Sequence, residues 1–227
     1  MTIKSIVIFG LGETAHLAYE YFTHDPAYAD YEVVAFCADP EYLKEDRFLD
    51  LPVVPADEVT VKFSPREHCA FAASGSGKLN RTREKLYNKA KSLGYKMISY
   101  VSSRAFVWHN VEIGENCFIL EDNTLQPFTK IGNNVVLWSG NHIGHRSEIE
   151  DHCFITSHVV ISGFCKIGAY SFVGVNAAFA DGITVGRDNF IGMGTMVNKN
   201  TRPDEFYSGA PMNLRKVSAT KFCKVDS

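Results

Sequence analysis

The sequence predicts two folds in series: a small Rossmann-like parallel α/β domain, then a β-solenoid of the left-handed parallel β-helix type. Three observations predict this. From Val101 to Val197 an aliphatic or large apolar residue falls at every sixth position without a break. Small side chains recur two places before most of these residues, and glycine often follows them. Residues 1–101 show no such period and instead alternate strand and helix patterns around two glycine-bearing turns.

The α/β part begins with IKSIVIF at residues 3–9, a buried-strand pattern. It runs into Gly10-Leu11-Gly12-Glu13-Thr14-Ala15 and then a helix pattern to about Thr23. This is GxGxxA in strand–turn–helix context, where a helix N-terminus can face a phosphate. A second strand covers residues 31–37. Asp39 follows it, where an acidic side chain can meet a ribose or a base. A third strand at 68–73 leads into Ser74-Gly75-Ser76-Gly77-Lys78, a helix from about 79 to 93, and a strand at 96–101. A dinucleotide fold needs two mononucleotide halves. The period of six begins before a second half fits, so the domain is expected to hold a mononucleotide, such as that of an activated sugar, rather than NAD.

The solenoid series is Val101, Val107, Ile113, Ile119, Leu125, Ile131, Leu137, Ile143, Ile149, Ile155, Ile161, Ile167, Val173, Phe179, Val185, Ile191 and Val197. Neither an α-helix nor an ordinary strand has that period. A β-helix does, with one short strand and one turn per hexad. Three hexads close a triangular coil, and the run makes roughly five coils, each rising about 4.8 Å. The small residues, among them Cys117, Asn123, Asn141, Cys153, Cys165 and Ala177, are expected to fill the corners from inside. The expected division is 1–101, 102–211 and a tail, 212–227, read as a short amphipathic helix on the end of the solenoid.

Composition narrows the function. A net charge of −3 over 227 residues gives no reason to expect nucleic acid or an anionic membrane. No apolar stretch approaches the roughly 20 residues that span a bilayer. The chain opens on a strand pattern rather than a signal peptide, and its six cysteines form no CxxC pair. They read as reduced residues of a cytoplasmic protein.

Four histidines cluster on the solenoid: His142, His145, His152 and His158. His145 lies two places after Ile143, at a turn and pointing outward. One coil later its column holds Gly163, so the imidazole is expected over bare backbone. A base beside open amides suits acyl transfer: the base takes a proton from the nucleophile, and the amides stabilise an oxyanion. No metal is expected. His109 and His145 share a column two coils apart, about 10 Å by strand spacing, too far for one ion.

Both halves together resemble the nucleotide-sugar acetyltransferases of the bacillosamine N-acetyltransferase and sialic acid O-acetyltransferase type. The likeness rests on the GxGxxA turn, Asp39, Gly75-Ser76-Gly77-Lys78, the hexapeptide run, Trp138 to His145, Ser157 to Gly163, and Gly209-Ala210-Pro211. It implies a homotrimer with acetyl-CoA in the groove between adjacent solenoids and a nucleotide on the N-terminal domain. It places the general base on His145 and nucleotide contacts on Gly12 and Asp39, with Ser76 and Lys78. Backbone contacts to the CoA arm would fall near Gly163, Val175, Asn176, Ala177 and Met193, with the adenine end towards Ala210 and Pro211. His142 and Asn141 are candidates on the substrate side, and His158 on the thioester side.

The expected reaction is transfer of acetyl from acetyl-CoA to an amine of a nucleotide-linked amino sugar, a 4-amino-4,6-dideoxyhexose being the first choice. O-acetylation of a sugar such as sialic acid and a non-catalytic interaction module are the alternatives. One departure stands out. Where many relatives carry Asp or Glu after the base, this chain has Arg146. Glu148, Asn141 or an acid from a neighbouring subunit then remain to orient His145.

Overall fold

The computed structural model describes residues 3–209 except 44, together with 222. The N-terminal sheet is built from β1 (Lys4–Phe9), β2 (Tyr31–Ala38), β3 (Arg47–Phe48), β4 (Leu51–Pro55), β5 (His68–Ala72) and β6 (Lys96–Met97). Its order is β3-β4-β2-β1-β5-β6, parallel except for the β3–β4 hairpin. Helices α1 (Glu13–His24), α2 (Val59–Lys62) and α3 (Arg81–Ser92) connect the strands. The central strands are buried on both faces, which is why they read as continuous apolar runs.

Two sequence expectations are corrected here. The β3–β4 hairpin was not foreseen; its strands are short, and Leu51-Pro52-Val53-Val54-Pro55 carries two prolines that mask a strand pattern. The single strand expected at 96–101 is two strands. β6 pairs with β5, whereas Tyr100–Val101 pairs with Phe118–Ile119 and opens the solenoid.

From Tyr100 the chain winds as a left-handed parallel β-helix. Two-residue strands stack in three sheets, and each strand pairs with the one 18 residues on, as Phe118 with Val136 and His142 with Val160. The first face holds the strands from Tyr100 to Phe206, the second those from Phe106 to Met196, and the third those from Glu112 to Thr184. The period-six residues fill the interior from Ile119 to Val197, with Cys117, Cys153, Cys165 and Ala177 buried among them. These three cysteines are free thiols, and burial raises their pKa.

The α/β domain covers the first face. Phe22 meets Tyr100 and Phe71 edge-on, and Tyr21 meets Phe118 the same way. At the corner between the third and first faces, α3 docks by polar contacts. The fully buried guanidinium of Arg83 donates to the carbonyls of Asn134, His152 and Cys153. Asn80 donates through Nδ2 to the carbonyl of Tyr170, 2.8 Å away.

Candidate functional site

Two places collect the chemistry-bearing residues. The first is a cleft of about 680 Å³ on the α/β domain. The turn Gly10–Thr14 forms its floor, Asp39 and Tyr42 follow β2, and Arg47 and Phe48 come from the hairpin. Ser74 and Gly75 follow β5, while Thr82 and Lys85 look in from α3. The two glycines of the turn differ. Gly10 has φ +135°, and a Cβ there would drive into the carbonyl of Ala73. Gly12 has nothing within 4 Å of where its Cβ would lie. Gly10 therefore shapes the turn, whereas the space at Gly12 is open at the start of α1, where unpaired amides favour an anion.

Asp39 lines this cleft as expected, with Lys85 Nζ 3.6 Å from its Oδ2. Ser76 and Lys78 do not line it. Residues 78–80 all have φ between 48° and 69°, a left-handed turn that leaves Lys78 on the surface. The cations of the cleft are Lys85 and Arg47, which sequence reasoning missed. Lys85 lies in a lysine-rich helix with nothing to mark its facing, and Arg47 depends on the unforeseen hairpin.

The second place is the solenoid corner between the second and third faces. His145 is exposed and stands over Gly163. A Cβ on Gly163 would lie 2.6 Å from its Cε1 and 3.0 Å from each ring nitrogen. The Phe164 ring closes one side, edge-on at 4.9 Å and 80°. Arg146 is turned away, with its guanidinium over the Phe128 ring at 4.4 Å. Phe128, Arg146 and Phe164 occupy one column with φ near +60°. That conformation is uncommon for bulky side chains and projects them from the corner.

Neither of the orienting groups expected within the chain pairs with His145. Glu148 pairs with Lys166, 3.8 Å away. Asn141 is buried; it donates to the carbonyl of Trp138 and accepts from the Val159 amide at 2.8 Å. It belongs to the corner's internal bonding. The Gly163 amide, expected to face an oxyanion, donates instead to Asp181 Oδ1 at 2.9 Å.

The remaining expected residues scatter along the neighbouring corner and face. His142 is half-buried on the second face, paired with Thr124 and Val160. His158 lies over Gly140, where a Cβ would fall 2.5 Å from its Nδ1. The side chain of Ala177 points into the core, and its amide bonds the Gly174 carbonyl. Asn176 is exposed, yet its amide is bonded to the carbonyl of Ser157. Val175 is half-buried, and Met193 and Met196 are 70% and 75% exposed, an apolar strip on this side of the solenoid. Ala210 and Pro211 lie outside the described residues, as does all of the tail except Phe222. No group of three or more metal-ligating side chains occurs among the described residues.

A profile for bacterial transferase hexapeptide (six repeats) matches residues 128–163. No curated protein matches the sequence. Among solved structures, perosamine N-acetyltransferase from Caulobacter crescentus, a histidine variant in complex with CoA and GDP-perosamine, is 23% identical with a TM-score of 0.80. The match covers 95% of this chain and 98% of that one. The acetyltransferase domain of PglB from Neisseria gonorrhoeae, in complex with acetyl coenzyme A, is 19% identical with a TM-score of 0.78, over 90% and 95% of the two chains. The likeness is one of fold, and it spans both halves of the chain.

Proposed function

We propose that this protein transfers the acetyl group of acetyl-CoA to the amine of a nucleotide-linked amino sugar, with His145 as general base. The observation that carries the reading is the imidazole of His145 standing over the bare backbone of Gly163. The fold supports it, since a perosamine N-acetyltransferase and an acetyltransferase domain share it from end to end.

The α/β cleft is the place for the nucleotide, with its phosphates at Gly12 and the start of α1 and its nucleoside towards Asp39 and the hairpin. The strip of Val175, Met193 and Met196 offers an apolar bed for the pantetheine arm. His142 and His158 flank that side and are candidates for placing acceptor and thioester. The acceptor is a primary amine, a 4-amino-4,6-dideoxyhexose being the first choice.

The base must draw a proton from the amine before or as it attacks the thioester carbonyl, and no covalent enzyme intermediate is needed. Cleft and base lie apart in one chain. The α/β domain covers the first face, and His145 sits on the corner opposite that face. The arrangement fits a cytoplasmic homotrimer in which adjacent solenoids bring them together.

The test is an acetyl-CoA assay against UDP-, dTDP- and GDP-linked amino sugars with the wild type and His145→Ala. Acetylation of one amine, with a rate loss of about 10²–10⁴ in the variant, is the expected result. Turnover that survives His145→Ala removes the histidine from the role of base.

A further inference from the structure

The imidazole of His145 is exposed, and among the described residues neither a hydrogen bond nor an ion pair reaches its ring nitrogens. The one bond of the residue to a side chain joins its amide to Gln126 Oε1 at 2.9 Å. A side chain so placed moves among its rotamers unless packing stops it. Two residues of the next coil supply the packing. Gly163 leaves the slot in which the imidazole lies, and Phe164 stands beside it, edge-on with ring centroids 4.9 Å apart. The Phe164 amide donates to the His145 carbonyl at 2.9 Å, so the backbone itself holds the two residues in register.

Phe164 is not there to build the core. Its side chain is 59% exposed and belongs to none of the three apolar clusters of the molecule. Among the described residues, His145 is the only aromatic ring it meets. The backbone at φ 59°, disfavoured for a bulky residue, projects the ring along the corner. Its column neighbours leave it to the base. Arg146, one coil earlier, leans onto Phe128, and Gly182, one coil later, has no side chain to offer.

We infer that Phe164 is the positioning residue of the base: its ring, rather than a carboxylate, holds the imidazole of His145 over Gly163 in the orientation from which it takes the proton. The inference rests on the reading of His145 as general base. Such a base works only with its nitrogen about 2.6–3.2 Å from the atom that gives up the proton. An error of about 1 Å in that placement can cost about 100-fold in rate. An edge-to-face pair of aromatic rings favours its own arrangement over the alternatives by about 2- to 12-fold. That preference, added to the slot over Gly163, is enough to keep an exposed imidazole mostly in one place.

The test is a double-mutant cycle on kcat and on the two KM values, with acetyl-CoA and the nucleotide-linked amino sugar that the assay above selects. It uses wild type, Phe164→Ala, His145→Ala and the double variant, with Phe164→Tyr as the conservative control. Phe164→Ala should lower kcat by about 10-fold. Both KM values should stay within about twofold. Phe164→Tyr keeps the ring and should stay within about threefold of wild type. In the His145→Ala background, Phe164→Ala should change the residual rate by less than about twofold, because no base is left to position. Full kcat in Phe164→Ala overturns the inference and leaves His145 standing as base. Equal losses in the two backgrounds overturn it by making Phe164 a contact of the substrate. A loss of assembly mass in Phe164→Ala, read by light scattering, overturns it by making the ring an interface residue. Wild-type turnover in His145→Ala removes the base and the inference together.

Discussion

Glycines that look alike in sequence do different work. At Gly10 the backbone lies at φ +135° and Ala73 closes the space, so Gly10→Ala should cost about 3 kcal/mol and lower the thermal midpoint by about 6–12 °C. Gly12 is extended at φ −90° with open space beside it. Gly12→Ala should leave the midpoint within about 3 °C yet weaken nucleotide binding, measured by calorimetry. Gly163 is the third case. The three atoms nearest a methyl there all belong to the imidazole of His145, the far end of a side chain that can move. Gly163→Ala should therefore fold normally and lower kcat by about 100-fold, because a displaced base is a lost base. A destabilised Gly163→Ala protein would mean that the imidazole is held there more firmly than its exposed position implies.

The element that fixes one half against the other is α3, through a chain of side chains whose orientations follow from one another. Arg83 can only donate, so its bond to Asn134 Oδ1 at 3.2 Å fixes the amide. The nitrogen of Asn134 must then point to His152 Nδ1, 2.9 Å away, which has to accept and therefore carries no proton. The ring also stacks on Tyr170 at 4.8 Å. Burial, the largest cause, lowers the His152 pKa below its usual 6.5. A base with a lowered folded pKa binds fewer protons folded than unfolded. Its contribution to stability is intact above pH 6.5 and declines as pH falls from there towards the lowered folded pKa. The thermal midpoint should therefore fall between pH 6.5 and 5, more steeply in wild type than in His152→Gln. Equal slopes would show that this junction does not report pH. Arg83→Ala should cost about 3 kcal/mol, since it strips three buried carbonyls of their donor. Arg83 itself, with its pKa pushed down to about 10 by burial, stays charged at neutral pH.

At the scale of the whole molecule, the α/β cleft and His145 do not meet in one chain. The cleft is lined by α/β residues alone, and the domain packs on the face opposite the His145 corner. Among the described residues nothing covers the second face, where Phe106 and Val160 are exposed. Light scattering should find a species of about 76 kDa, three times the 25.3 kDa chain. Two inactive proteins, His145→Ala and Asp39→Ala, should regain activity when co-expressed if base and nucleotide come from different subunits. A monomeric, active enzyme would rule that arrangement out.

The sequence alone determined the solenoid, because a period of six has one structural solution and every coil repeats the same demand for an apolar residue inside. It also determined that His145 would face Gly163, since column position follows from counting by eighteen, and that Asp39 would sit at the end of β2. Contacts that depend on direction rather than spacing were decided only by the tertiary structure. Asn141 and Ala177 turn inward as the spacing of small residues predicted, but the partners Asn141 takes, the Trp138 carbonyl and the Val159 amide, were not readable from that spacing. Ser76 and Lys78 were lost to a left-handed turn, and Lys85 and Arg47 entered the cleft from a helix face and a hairpin with no local signal. The use of the Gly163 amide by Asp181 was equally hidden. Hydrogen-bond partners and facing depend on how coils and helices pack across long separations in the chain, and no short window of sequence contains that information.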